Sequence, residues 1–133
     1  ILVKNNFDEE LKIVAVGDIS FGDHYFSLGH GPRGTILKKG PNCAFESVKN
    51  VLCTGDITFG NLECVISDDG LENGKFSSEA FRGPPVAIES LIEAGFNVLN
   101  ISNNHILQHG ETAFVDTLNK LKSKKVLKAD IIA

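Results

Sequence analysis

The segment LKIVAVGDISFGD, residues 11–23, decides the fold prediction for this chain. Residues 11–16 are rich in β-branched side chains and end at Gly17, a pattern typical of a buried strand. A long glycine-rich loop follows, with glycines at positions 22, 29, 31, 34 and 40. Long loops of this kind are usually functional or mobile, so the end of this strand is the first place to look for a site.

Downstream of this loop, helical and strand patterns alternate. We predict helices over residues 44–52, from Pro84-Pro85 to Gly95, and over residues 111–121. Further strands are predicted over residues 56–62, 96–101 and 129–133, and a polar loop over residues 67–78. Strands that alternate with helices predict an α/β fold with a parallel sheet and right-handed crossovers.

The composition is that of an ordinary globular domain. The chain has 133 residues, of which 42% are hydrophobic and 23% charged, and the formal net charge is -4. This balance gives no reason to expect a nucleic-acid partner, which usually needs a clustered basic face. No run approaches the roughly 20 apolar residues of a spanning helix. Because the chain begins at Ile1 rather than Met, removal of an upstream segment stays open.

The three cysteines, Cys43, Cys53 and Cys64, match no zinc-binding or Cys-x-x-Cys spacing. We expect small buried side chains at these positions, because free cysteine is often buried. The sequence leaves a disulfide between any two of them undecided.

Polar residues follow each of the first three predicted strands. In parallel α/β sheets, ligands bind outside the carboxyl ends of the strands. The residues there are Asp18, Ser20, Asp23 and His24 after the first strand, Asn61, Glu63 and Cys64 at the second, and Asn103, Asn104, His105, Gln108 and His109 after the third. Carboxylate oxygens and imidazole suit a divalent metal, so their coincidence at one edge predicts a metal site.

Several other interpretations remain open for these residues. Asp18, Asn103 and Asn104 could be turn or cap residues, and His105 could be a structural hydrogen-bonding side chain. Ser20 or Ser102 could be a nucleophile, although the chain has no Gly-x-Ser-x-Gly elbow.

A thiol nucleophile is a further alternative, with Cys64 beside Glu63 and paired with His105. We expect the weaker site candidates to be exposed to solvent, namely Asp23, His24, His30 and His109. The acidic residues Asp68, Asp69 and Glu72 are expected to lie in a solvated loop. The segment after the first strand lacks both the dinucleotide and the P-loop patterns.

Four motifs carry a family resemblance: GDISFGD from Gly17, NLE from Asn61, FRGPP from Phe81 and NNHILQHG from Asn103. With them, residues 12–121 resemble the bacterial capsule synthesis family of the CapA, or poly-gamma-glutamate capsule, type. That family is related to the calcineurin-like metallophosphatases. The resemblance implies part of a metallophosphatase-like layered α/β sandwich.

The resemblance also implies a single domain over residues 1–133 that is an incomplete, N-terminal portion of a larger one. Family members are longer and carry a later His-Trp-Gly motif. We therefore expect residues to be missing near Lys124-Lys125 and after Ala133.

By motif, the resemblance assigns a role to each of five residues. Asp18 would bind one metal, Glu63 would bridge two metals and Asn104 would bind the second. His105 would be the catalytic residue that protonates a leaving group and would also lie among the ligands, with Asn61 as a polar support or extra ligand. The cofactor would be a divalent metal, either manganese, iron or zinc.

Three positions depart from the pattern that the resemblance leads us to expect. Ser20 stands where the superfamily often has histidine, and Glu63 stands where the bridging residue is usually aspartate. Gln108 stands where the capsule family commonly has aspartate. The first two departures leave a one-metal or weakly binding site open.

The resulting functional hypothesis is a metal-dependent hydrolase-like protein in the biosynthesis of a bacterial surface polymer. Its reaction would be phosphoester hydrolysis, or amide hydrolysis or transfer. The alternative is a non-catalytic assembly protein that binds a polymer or a partner. The implied partners are the surface polymer or its precursor and a membrane biosynthetic complex, and the implied location is the cell surface or membrane.

Overall fold

A computed structural model describes residues 2–4 and 10–124 of the chain. The strands are β1 (Leu2–Lys4), β2 (Glu10–Ile19), β3 (Ile57–Leu62), β4 (Val65–Ile66), β5 (Arg82–Gly83) and β6 (Val98–Asn100). The helices are α1 (Pro32–Lys39), α2 (Lys49–Leu52), α3 (Phe76–Glu79), α4 (Ala87–Glu93) and α5 (Gly110–Ser123), with single 3-10 turns at Tyr25–Ser27 and Pro41–Ala44. This mixed arrangement confirms the predicted α/β class.

The main sheet has four strands in the order β1-β2-β3-β6. Strand β2 pairs in parallel with β3, and β3 pairs in parallel with β6, while β1 is antiparallel to β2. Strands β4 and β5 form a separate parallel pair. The three parallel strands therefore end at one edge, as the sequence predicts.

The core is formed by side chains from the strands and from α4 and α5. Leu62, Leu91, Phe96 and Leu99 are almost completely buried. Helix α5 is tied to the small sheet because the Ile66 N–H donates to Thr117 Oγ1 at 3.0 Å. Among the described residues, no helix is long and apolar enough to cross a membrane.

The predicted helices differ from the observed ones in the first half of the chain. The glycine-rich loop contains helix α1, which has Pro32 in its first turn and ends at Gly40, where φ is +87°. The helix predicted over residues 44–52 is wrong in extent. A 3-10 turn and the four-residue α2 take its place, because Val48 and Val51 stay 48% and 63% exposed and provide no continuous buried face.

The later segments agree more closely with the predictions. Helices α4 and α5 lie where the prolines, glycines and apolar spacing of the sequence predict them. Helix α4 ends before Gly95, whose φ is +87°. The loop predicted over residues 67–78 contains the first residues of α3. Strands β4 and β5 were not predicted, because two-residue strands are too short to show an alternating hydrophobic pattern. The predicted strand 129–133 lies outside the described residues.

The three cysteines are free and differ in environment. Cys64 is buried as predicted, Cys43 is partly buried, and Cys53 is exposed, which contradicts the expectation for that residue. Cys53 lies just after α2 and points its thiol at the carbonyl oxygens of Glu93 and Ala94.

The loop after β2 is organised around the buried carboxylate of Asp23. The Gly29 N–H donates to Asp23 Oδ2 at 2.6 Å and the Gly34 N–H donates to Oδ1 at 3.2 Å. The Asp23 carbonyl accepts the N–H of Phe81 at 2.9 Å. Asp23 is 1% exposed, so the predicted solvent exposure of this residue is wrong. Backbone donors satisfy its carboxylate inside the fold.

Replacement of Asp23 by alanine should destabilise the fold by about 1–3 kcal/mol, because the acceptor for a buried backbone N–H is lost. Urea denaturation of the variant would measure this. Asp69→Ala is the matched control, because it removes an exposed carboxylate and should stay within about 0.5 kcal/mol of wild type. Equal losses in the two variants would contradict the role given to Asp23.

Gly22 lies too close to the backbone of Phe81 for any side chain to fit. A Cβ atom there would lie 2.4 Å from backbone Cα and C atoms of Phe81. Gly22→Ala should therefore cost about 1–3 kcal/mol of unfolding free energy, measured by urea denaturation. Gly17→Ala is the control, because a Cβ atom there meets nothing within 4 Å. If Gly22→Ala were as stable as the wild type, the backbone segments at Gly22 and Phe81 would separate at little cost, which would contradict the prediction.

Candidate metal centre at the strand ends

Three polar side chains form a row across the parallel strands. In the sheet register, Asp18 of β2 lies opposite Asn61 of β3, and Asn61 lies opposite Asn100 of β6. Asn61 Nδ2 donates to Asp18 Oδ1 at 2.7 Å, and Asn100 Nδ2 donates to Asn61 Oδ1 at 2.8 Å. A register irregularity between Ala15 and Asp18 precedes this row, and bulges are common beside functional sites.

A second carboxylate joins the row from the end of β3. Asn61 Nδ2 also donates to Glu63 Oε2, so Asp18 and Glu63 share one amide nitrogen. Within residues 10–124, neither carboxylate forms an ion pair with a lysine, arginine or histidine. Two nearby like charges disfavour each other. A cation placed between the two carboxylates would offset this repulsion.

Asn103 connects the row to the loop that carries the histidine. Its Nδ2 donates to Asn61 Oδ1 at 3.2 Å and to the Leu62 carbonyl at 2.8 Å. Its Oδ1 accepts the backbone N–H groups of His105 at 3.1 Å and Ile106 at 3.0 Å. The turn after β6 is thus fixed to the strand ends by one amide.

The His105 ring is held on two sides. Its Nδ1 lies 2.7 Å from Gln108 Oε1. Its face stacks on the ring of Phe81, with ring centroids 5.5 Å apart and an interplanar angle of 29°. His105 remains partly exposed, so a ligand can reach the rest of the ring.

Asn61 contacts both Asp18 and Glu63 directly, and Asn103 joins Asn61 to the backbone of His105. Asn104, in contrast, is exposed and makes no side-chain hydrogen bond among the described residues. The ligand role of each residue stays a prediction. Asn100 was not predicted as a site residue, because it lies inside an apparent strand. Its register position opposite Asn61 places it in the row.

The donor types fit a divalent metal. Two carboxylates, amide oxygens and an imidazole are the groups that manganese, iron or zinc accepts. Within residues 10–124, no three histidine, cysteine, aspartate or glutamate side chains form a ready metal-binding group. In the described part of the chain, the candidate site is built around the two carboxylates of Asp18 and Glu63.

Two of the weaker histidine candidates are exposed as predicted, namely His24 and His30. His109 is partly buried instead, and its Nε2 lies 2.9 Å from the Ala80 carbonyl oxygen. Burial, followed by the positive charge of Arg82, lowers the pKa of His109. The carboxylates at positions 68, 69 and 72 are exposed, as expected for a solvated loop.

The alternative nucleophiles find no support in the geometry. Burial raises the pKa of the Cys64 thiol to about 11, against the lowering effect of hydrogen bonds such as that from the Phe21 N–H. The thiol is therefore protonated at neutral pH and is a poor nucleophile. Ser20 and Ser102 are exposed, and neither hydroxyl bonds to a histidine in the described part of the chain.

Comparison with known proteins gives consistent matches. The chain is 27% identical over 122 residues to the capsule biosynthesis protein CapA of Bacillus anthracis, which covers 90% of this chain and 28% of that protein. It is 25% identical over 130 residues to the uncharacterised proteins y4sH and y4uA of Sinorhizobium fredii, covering 95% of this chain and 26% of each. The chain thus spans little more than a quarter of the length of these curated relatives.

The model of the bacterial capsule synthesis protein family PGA_cap matches residues 12–129. This range includes all but the first two residues of β2, every later element through α5, and every residue of the carboxylate and asparagine row. The match therefore spans the elements that build the candidate site as well as most of the chain. On this evidence the chain belongs to the bacterial capsule synthesis protein family PGA_cap.

Proposed function

We propose that this chain contributes a divalent-metal site to a hydrolase-like protein in the synthesis of a bacterial surface polymer, with poly-gamma-glutamate as the first polymer to test. The observation that carries the proposal is the sharing of the Asn61 amide by Asp18 and Glu63. Family membership supplies the polymer context. The CapA relative carries a capsule biosynthesis name, which supports the same context.

In this proposal Asp18 and Glu63 hold the metal, with oxygen donors from Asn61 or Asn104 and the imidazole of His105 as further ligands. A bound metal of this kind supplies a nucleophile by lowering the pKa of a water molecule. The asparagine row keeps the two carboxylates together before any ligand arrives, because each amide hydrogen bond fixes one rotamer. Such preorganisation reduces the free-energy cost of binding.

The reaction class in this proposal is hydrolysis of a phosphoester, or hydrolysis or transfer at an amide. His105 is joined to the carboxylate row through Asn103, which accepts its backbone N–H and donates to Asn61, and histidine is the side chain most often used to transfer protons in enzymes. Its side chain is oriented by Gln108 and Phe81 rather than by a charged partner. In this proposal Nε2 of His105 is therefore either a metal ligand or the proton-transfer group, because Nδ1 is bonded to Gln108.

A non-catalytic assembly role is the second candidate, and one observation favours it. Ser20 is exposed at the position where a histidine is often found in the related metallophosphatases. Under this alternative, the same strand ends bind a polymer or a protein partner without turnover.

Metal binding provides the first test. We expect the full-length protein to bind Mn²⁺ in calorimetry, and Asp18→Asn or Glu63→Gln to weaken binding at least about tenfold, because each removes a charged ligand and keeps the side-chain shape. Asp69→Asn removes an exposed charge elsewhere and should bind like wild type. Absence of Mn²⁺, Fe²⁺ and Zn²⁺ binding in wild type would end the metal proposal.

Polymer formation in cells separates the two candidate functions. If the site is catalytic, Asp18→Ala and His105→Ala should each reduce surface polymer at least about tenfold, as expected when a transition-state contact is lost. Immunoblots of the variants and the Asp69→Ala control must show equal protein levels. Normal polymer in both site variants would favour the assembly role and reject the catalytic one.

A further inference from the structure

The hydrogen bond between His105 and Gln108 determines which ring nitrogen carries the proton. His105 Nδ1 lies 2.7 Å from Gln108 Oε1. An amide oxygen accepts hydrogen bonds and cannot donate them. Nδ1 must therefore donate, and the neutral ring carries its single proton there. The Nε2 atom, which makes no hydrogen bond to any other described residue, then holds a lone pair.

Two other histidines are fixed in the opposite form. His109 Nε2 lies 2.9 Å from the carbonyl oxygen of Ala80, so it must be the protonated nitrogen. His24 Nδ1 accepts the N–H of Phe26 at 3.4 Å, which also leaves the proton on Nε2. Of these three rings, His105 alone offers an unprotonated Nε2.

The plane of the His105 ring is fixed independently by Phe81. The two rings stack with centroids 5.5 Å apart. Phe81 has φ at +56° and is the one non-glycine residue with positive φ in the described part of the chain. Its N–H donates to the Asp23 carbonyl at 2.9 Å, which holds this unfavourable backbone conformation in place. Strained residues of this kind are concentrated at functional sites.

We propose that Gln108 is a positioning residue that fixes neutral His105 as the Nδ1–H tautomer and leaves the Nε2 lone pair for a metal ion or for a proton. The amide does this without adding a charge next to the ring. In this form Nε2 has no proton to donate, so neutral His105 is suited to be a ligand or a proton acceptor. This role rests on the proposed function, whereas the tautomer itself does not.

The test is a long-range ¹H–¹⁵N correlation spectrum of the full-length, metal-free protein with ¹⁵N-labelled histidine rings. At about pH 8, above the ordinary histidine pKa of about 6.5, neutral rings report their tautomer through the two nitrogen shifts. His105→Gln identifies the His105 signals by their loss. We expect Nδ1–H for His105 and Nε2–H for His109, so the two rings serve as internal references for each other.

Substitution at Gln108 tests its part in this arrangement. Gln108→Ala should shift the His105 tautomer ratio towards Nε2–H by about two- to tenfold, the range of one hydrogen bond. Gln108→Glu keeps an acceptor oxygen and should preserve the Nδ1–H form. Because Gln108 is exposed, the fold should persist, and unchanged His109 signals in both variants would confirm that it does.

An Nε2–H form of His105 in the wild type would overturn the proposal, as would an unchanged tautomer ratio in Gln108→Ala. Neither result depends on metal binding. If the tautomer is as expected but no metal binds, the proposed function fails and the positioning role of Gln108 stands. If metal binds but His105 is the Nε2–H form, the proposed function stands and the positioning role of Gln108 fails.

Discussion

The side chain of Asn61 is the contact on which the candidate site depends. Its Nδ2 donates to Asp18 and Glu63, and its Oδ1 accepts from Asn100 and Asn103. Two donated and two accepted bonds use the whole capacity of a carboxamide. An aspartate at this position would supply no donor and would repel both carboxylates. A hydrophobic residue would remove all four of these hydrogen bonds, so the geometry favours an amide.

The sequence predicted the parts of the fold that rest on local patterns. The positions of strand β2, helix α4 and helix α5 were predictable because β-branched runs, prolines, glycines and apolar spacing act over short distances. The burial predicted for residues 11–16 is wrong, because these side chains are exposed or only partly buried in the described structure. The meeting of Asp18 with Asn61 was also predictable, since parallel strands end at one edge. The Asn61–Asn100 contact was not, because it depends on register, which the sequence does not display.

Other features depended on contacts between distant segments. Nothing local to Asp23 shows that it will be buried, because its donors come from Gly29 and Gly34 after the chain turns back. The helix predicted over residues 44–52 failed for the same reason: its apolar spacing was correct, but no neighbouring surface buries Val48 and Val51 in the described structure. Tertiary packing, rather than helix propensity, decided both cases.

The loop after β2 and the turn after β6 form one connected unit. Asp23 organises the loop and holds Phe81 through its carbonyl, and Phe81 stacks on His105. The close approach of Gly22 to the backbone of Phe81 adds a second link. Folding of the glycine-rich loop therefore sets the position of a ring that lies far away in the sequence. This explains why the loop needs both a buried carboxylate and a glycine.

The electrostatics of the strand ends bear on any anionic substrate. Asp18 and Glu63 place two negative charges close together in a chain whose formal net charge is -4. A polymer with carboxylate or phosphate groups would be repelled from this edge unless a cation lay between them. Within the proposed function, a divalent metal thus has two effects, because it neutralises the carboxylate pair and gives an anionic group a point of attachment. The hydrogen bonds from Asn61 hold the two carboxylates in place for such a cation, so the structural role of the amide row fits the chemistry proposed for it.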